Sequence, residues 1–154
     1  MEQNKFNKYF LILISFFVIY SCQFDWVEER HISLNKIEFG SGVRDSFKQK
    51  SLKFFSQNPS NNNHSLNISN LQFKKKNFYS GSTARAKQIE IVGQLEFSFT
   101  NMTSTKSGKL DISGWIPVNE NNPQAEMMAQ RKMIEELELL LLEDILKEYW
   151  LIES

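Results

Sequence analysis

What the chain has little of narrows it first. Among 154 residues there is one cysteine, so no internal disulfide can form. There are two histidines, His31 and His64, far apart and without metal-ligand spacing around either. Net charge is zero at pH 7, a poor basis for binding nucleic acid. No Gly-rich phosphate loop and no G-x-S-x-G elbow occurs. Carboxylates are plentiful near the C-terminus, but they are strung along a helical stretch as on a solvated face. These absences point away from catalysis, and the expectation is a non-enzyme with no metal. The longest apolar run, Tyr9–Tyr20, is far short of the roughly 20 residues a spanning helix requires.

What is present begins with that run. YFLILISFFVIY follows Lys5 and Lys8, and a basic segment ahead of a short apolar one reads as a secretory signal. Ile19-Tyr20-Ser21-Cys22 then sets a small residue before the lone cysteine where the apolar run ends. This resembles a bacterial lipoprotein signal, which implies cleavage after Ser21 and lipidation of Cys22 with S-diacylglycerol and an N-acyl (palmitate) chain. The alternative is ordinary cleavage with Cys22 a spectator thiol. Each buried methylene contributes about 0.8 kcal/mol, so several acyl chains hold a protein on a membrane where one does not. Gln23 follows, not the Asp that retains enteric lipoproteins at the inner membrane, so the expected address is the outer membrane, facing the periplasm.

The expected organisation is a signal peptide over 1–21, a lipidated connector over 22–34 and a domain over 35–154. Lys36–Phe39 reads as a short strand, and Gly40-Ser41-Gly42 breaks the chain. Val43, Phe47, Ser51 and Phe54/Phe55 recur at helical spacing, predicting a helix over 43–57. Its other side carries Arg44, Lys48, Lys50 and Lys53, a face for water or for a membrane surface. After an Asn-rich loop, Leu66–Lys76 reads as a strand. Leu66 and Ile68 are in one phase and Leu71 and Phe73 in the other, so a bulge is needed near Asn70.

Ala84–Thr100 has the clearest alternation. Ile89, Ile91, Leu95, Phe97 and Phe99 share one phase with Gly93; Gln88, Glu90, Gln94, Glu96 and Ser98 share the other, with Val92 the single exception. A period of two over that length predicts a long strand with one apolar and one wet face. Asn101–Ser107 reads as a loop, and Leu110–Val118 as the return strand of a hairpin. Asn122-Pro123 supplies an N-cap and a first-turn proline for a helix to about Leu151. Its stripe runs Met127, Gln130, Ile134, Leu137, Leu141, Ile145, Tyr149 and Ile152, thickened by Met133 and Leu140, with glutamates behind. Leu139–Leu142 is apolar around most of the helix, a surface for neighbours or a partner. The order β-α-β-β-β-α predicts an α/β (α+β) two-layer sandwich, with two helices on one face of a four-stranded mixed sheet.

Lys74, Lys75, Lys76, Arg85 and Lys87 flank one turn between two strands. Gathered at one sheet end they would suit phosphates, with Arg bidentate and Lys as point charges; the alternative is a patch serving solubility. Asn-x-Ser/Thr triplets at Asn63, Asn67 and Asn101 match an acceptor pattern that a bacterial lipoprotein leaves unused.

Taken together, the chain resembles the lipopolysaccharide-assembly lipoprotein LptE family. The resemblance is carried by Cys22 with Phe24 two residues on, by the element order, and by Phe78-Tyr79-Ser80-Gly81-Ser82-Thr83-Ala84 turning into the long strand. Asn122-Pro123-Gln124 at the last helix and its ending Glu143-Asp144-Ile145-Leu146-Lys147 add to it. It implies a plug inside the LptD β-barrel that helps the barrel assemble and handles lipopolysaccharide, with no bond made or broken. The family's basic residue after the turn Phe is Tyr79 here, so the Lys74, Lys75, Lys76, Arg85 and Lys87 cluster is the substitute lipopolysaccharide contact. A generic outer-membrane lipoprotein, acting as periplasmic scaffold or carrier, is the alternative reading.

The anchor is directly testable. Labelled palmitate is expected to enter the wild-type chain and not Cys22→Ala, which should also leave the membrane fraction. Equal labelling of the two would rule out Cys22 as the acylated atom.

Overall fold

The computed structural model describes residues 31–59, 64–79, 86–119 and 121–153. The signal segment, Cys22, the connector as far as Arg30, and Arg85 lie outside the described residues. In chain order the elements are β1 (Ile32–Leu34), β2 (Lys36–Phe39), α1 (Asp45–Ser51), β3 (Phe55–Gln57), β4 (Ser65–Tyr79), β5 (Ala86–Thr100), β6 (Thr105–Pro117) and α2 (Pro123–Glu153).

The long alternating stretch is β5, and every odd residue from Ile89 to Phe99 is buried, Gly93 included. β5 lies inside a four-stranded sheet of order β2-β4-β5-β6, with β2 parallel to β4 and the other pairs antiparallel. The expected two-layer α+β arrangement is therefore present. A second, two-stranded parallel sheet of β1 and β3 is an addition.

Both short strands correct the sequence reading. The connector was expected to run to Leu34, but Ile32 and Leu34 are buried in the main core. The first helix was expected to reach Gln57, but α1 stops at Ser51 and Phe55–Gln57 pairs with Ile32–Leu34. Adjacent aromatics such as Phe54 and Phe55 suit an extended chain better than a helix interior, and pairing with β1 buries Phe55 completely.

The bulge needed near Asn70 is found. Ile68 pairs with Phe97 and Asn70 with Glu96, leaving Ser69 as the extra residue. It shifts the phase of β4, so that Leu66, Ile68, Leu71 and Phe73 all face the helices. Gly40 fits against this bulge, its N–H donating to the Ile68 carbonyl at 2.8 Å. A Cβ on Gly40 would stand 2.1 Å from the Ser69 carbonyl oxygen, which is backbone and cannot swing aside.

α2 runs along β5 in the same direction. Its first half covers Ile89, Ile91 and Ile116 through Leu137. Its second half covers Leu95, Phe97 and Phe99 through Leu141, Leu142, Ile145 and Tyr149. The helix comes close to β6: a Cβ on Gly114 would fall 2.2 Å from the Met133 sulfur. At its start the Asn122 Oδ1 accepts from the Ala125 N–H at 3.0 Å, the expected N-cap. The β5–β6 turn is tighter than expected, with Asn101 Oδ1 accepting from the N–H groups of Thr103 and Ser104, so β6 begins at Thr105.

The expected stripe of α2 holds in Gln130, Leu137, Leu141, Ile145 and Tyr149, whereas Met127 and Leu140 are exposed. The acidic back has one exception. Glu138 points inward with its side chain 2% exposed. Its Oε2 accepts from Lys50 Nζ at 2.8 Å. Arg44 Nη2 lies 2.9 Å from Oε1 without hydrogen-bond geometry, so that contact is ionic. The Arg44 guanidinium also sits 4.9 Å from the Phe73 ring centroid. Two of the four cations read as a free basic face on α1 are thus committed to α2. A third, Lys48, donates to Asp45 at 2.8 Å, and that hydrogen bond, with its charge, holds the Asp45 carboxyl below its usual range.

Exchanging Arg44 and Lys50 together for Met leaves a buried carboxylate unpaired, with an expected loss of about 3–5 kcal/mol in urea denaturation. Glu138→Gln should cost less, because the Arg44 and Lys50 side chains remain 48% and 23% exposed. Equal losses would contradict the placement of the burden on Glu138.

Candidate functional site

Both helices pack on one face of the sheet, so its other face is the candidate surface. Across the strands the register lines up Asn67, Ser98 and Ser107; Asn70, Glu96 and Lys109; and Gln72, Gln94 and Asp111. These side chains share the phase opposite to the core, and no described helix covers them. At the bulge the surface dips into a hollow of about 430 Å³ whose polar lining is Ser69, Glu96, Ser98, Ser107 and Lys109. Ser69 Oγ donates there to the Glu96 carbonyl at 3.2 Å. Hydroxyls, amides and a balanced carboxylate–ammonium set make this face suited to water-mediated contact with another hydrated surface.

The basic cluster expected at the hairpin end is divided by strand alternation. Lys74 and Lys76 fall on the open face, opposite Val92 and Glu90. Lys76 Nζ is 3.8 Å from Glu90 Oε2. Lys75 has the other phase, opposite Ile91, and its Nζ donates to Gln130 Oε1 on α2. Gln130 Nε2 in turn donates to Glu126 at 3.0 Å, so Lys75 closes a link between sheet and helix. Lys87 stands where the register skips from the Phe78–Gln88 pair to Tyr79–Ala86, and its carbonyl accepts the Val118 N–H. Arg85 is outside the described residues. The structure therefore brings together Lys74 and Lys76, and separates Lys75 from them.

Beside these two lysines is a feature the sequence reading missed. Phe78 on β4 and Trp115 on β6 meet across β5, with ring centroids 4.5 Å apart. They are 41% and 46% exposed, on a face where Val92 is the other apolar residue of the central strand. The signal was available in the phase: after the bulge, Phe78 shares parity with Lys74 and Lys76, and Trp115 opposes Glu90. Among the described residues no group of three or more His, Cys, Asp or Glu is placed to hold a metal ion. None of the described helices is long and apolar enough to cross a membrane.

A helix layer on one side, an open polar sheet on the other and a long last helix define a two-layer α+β fold found among bacterial lipoproteins. The crystal structure of the rare lipoprotein B from Shewanella oneidensis is similar with a TM-score of 0.63. At 12% identity the match covers 77% of this chain and 96% of that one. The solution structure of an uncharacterized lipoprotein B from Nitrosomonas europaea is similar with a TM-score of 0.60. There the identity is 8%, over 76% of this chain and 83% of that one. No protein-family model and no curated protein sequence matches the chain. At such identities the likeness is one of fold.

The aromatic contact can be measured. A double-mutant cycle of Phe78→Ala and Trp115→Ala is expected to give a coupling of about 0.5–1.5 kcal/mol. A coupling near zero would mean the rings do not pack in solution.

Proposed function

We propose that this chain is a lipid-anchored plug of an outer-membrane β-barrel. In this reading it occupies the lumen of LptD, assists the barrel's assembly and takes part in passing lipopolysaccharide to the outer leaflet. The observation that carries the reading is the sidedness of the sheet. Helices satisfy one face, while the other offers Ser, Asn, Gln and compensated charges over the length of β5. A barrel lumen is a polar, hydrated wall, and a face of hydroxyls, amides and charges of both signs can lie against it with water between.

Three further points support the proposal. The Cys22 pattern supplies an anchor at a membrane. The fold is shared with structures described as lipoproteins. The helix-on-sheet architecture is the one the resemblance to the LptE family implies. The mechanism needs no covalent step. The domain fills space, orders the barrel around it, and contacts an anionic glycolipid weakly. In this reading the contact is made by Lys74 and Lys76, which share the open face with the Phe78–Trp115 pair.

Two measurements test this. Affinity purification of the chain from detergent-solubilised membranes should bring down a large β-barrel protein in roughly equal amount, and its absence sinks the plug reading. Lys74→Gln with Lys76→Gln should weaken lipopolysaccharide binding several-fold, while Lys75→Gln should alter stability more than binding. Unchanged binding in the double variant removes these two lysines from the site.

A further inference from the structure

β6 is the edge of the main sheet, and among the described residues no strand pairs with its outer side. An unpaired strand edge is a row of free N–H and C=O groups, and proteins that keep one free blunt it with bulges, prolines or like charges. β6 has little such protection. Its pairing with β5 runs without a register shift from Thr105 to Pro117, and its one proline is its last residue. Its outward charges are Lys109 and Asp111, two residues apart on the open face and opposite in sign. Such a pair attracts another strand where two lysines would repel it.

The helix side of the same edge is incompletely covered. Leu110 and Ile112 face α2 but are only half-buried. Leu140, which lies on the side of α2 that reaches β6 through Glu148 and Lys106, is 48% exposed. A strand added here would gain backbone hydrogen bonds at the edge and apolar contacts beneath the helix, the two ingredients of strand addition.

The geometry points to a second copy of this chain as the occupant, paired antiparallel through β6 about a two-fold axis at Leu110. In that register Lys109 of each copy faces Asp111 of the other, on both sides of the axis. Leu110 meets its own counterpart. Gly108 faces Ile112 and Lys106 faces Gly114, and over the two glycines lie the Phe97 ring and the Met133 sulfur of the same chain. The charges of β6 are thus complementary to β6 itself, as an isologous interface requires. The result is one continuous sheet through both copies, with both helix layers on the same side. This inference does not rest on the barrel-plug reading. A barrel lumen and a second copy would compete for this edge, which makes the dimer the form of the protein not engaged by a partner.

The test is the protein mass of the full chain in detergent, measured by light scattering with the detergent contribution separated, across a concentration series. Wild type is expected to show dimer in equilibrium with monomer. Asp111→Lys and Lys109→Asp each set like charges face to face and should weaken the dimer at least tenfold, with circular dichroism unchanged. The swap Lys109→Asp/Asp111→Lys restores opposite charges and should recover it. A wild type monomeric throughout the series, single variants as dimeric as wild type, or a swap that stays monomeric overturns the inference.

Discussion

The charge of Glu138 is the constraint on which the rest of the domain depends. A carboxylate shut away from water is tolerable only if cations meet it, and α2 carries none in a position to do so. The cations come from the other helix, Arg44 before α1 and Lys50 near its end. Meeting the charge therefore fixes α1 beside α2, sets Arg44 over Phe73 and brings Val43 and Phe47 onto the core. Hydrophobic burial alone would hold both helices on the sheet but would tolerate sliding between them. An ion pair that must close over a buried oxygen does not.

Much of the fold was legible because two periods carry most of it. The alternation in β5 and the stripe in α2 both follow from one buried face per element, and both survive in the structure. The bulge was legible for the same reason, since Leu66 and Ile68 cannot share a face with Leu71 and Phe73 without an extra residue. What was not legible depends on partners distant in sequence. Glu138 looks like its neighbours Glu135 and Glu136 until Arg44 and Lys50 are placed beside it. β1 and β3 are three residues each, too short for a periodic signal, and exist because they pair with each other. The divided lysine cluster is a different kind of miss. Three consecutive residues in a strand cannot share a face, so Lys75 could have been separated from Lys74 and Lys76 on alternation alone.

The sheet thus has two unlike sides with unlike demands. The covered side is specified by volume, to the point that glycine is needed where Met133 and the bulge approach. The open side is specified by polarity and charge balance, and it tolerates many substitutions that leave both intact. A sequence under those two demands can diverge widely while keeping its architecture, in keeping with structural neighbours at 8–12% identity that retain the same fold.

The extra residue at Ser69 acts as a phase inverter for everything after it in β4. Upstream of it, even-numbered residues face the helices; downstream, odd-numbered ones do. Were Ser69 to pair as an ordinary strand residue instead of bulging out, the inside and outside of the remaining strand would trade places. Lys74, Lys76 and Phe78 would turn beneath α2, and Leu71 and Phe73 would turn out to water. The chemical character of the open face near the hairpin is therefore written by a backbone irregularity some five residues away, in a position where no charged or aromatic side chain stands.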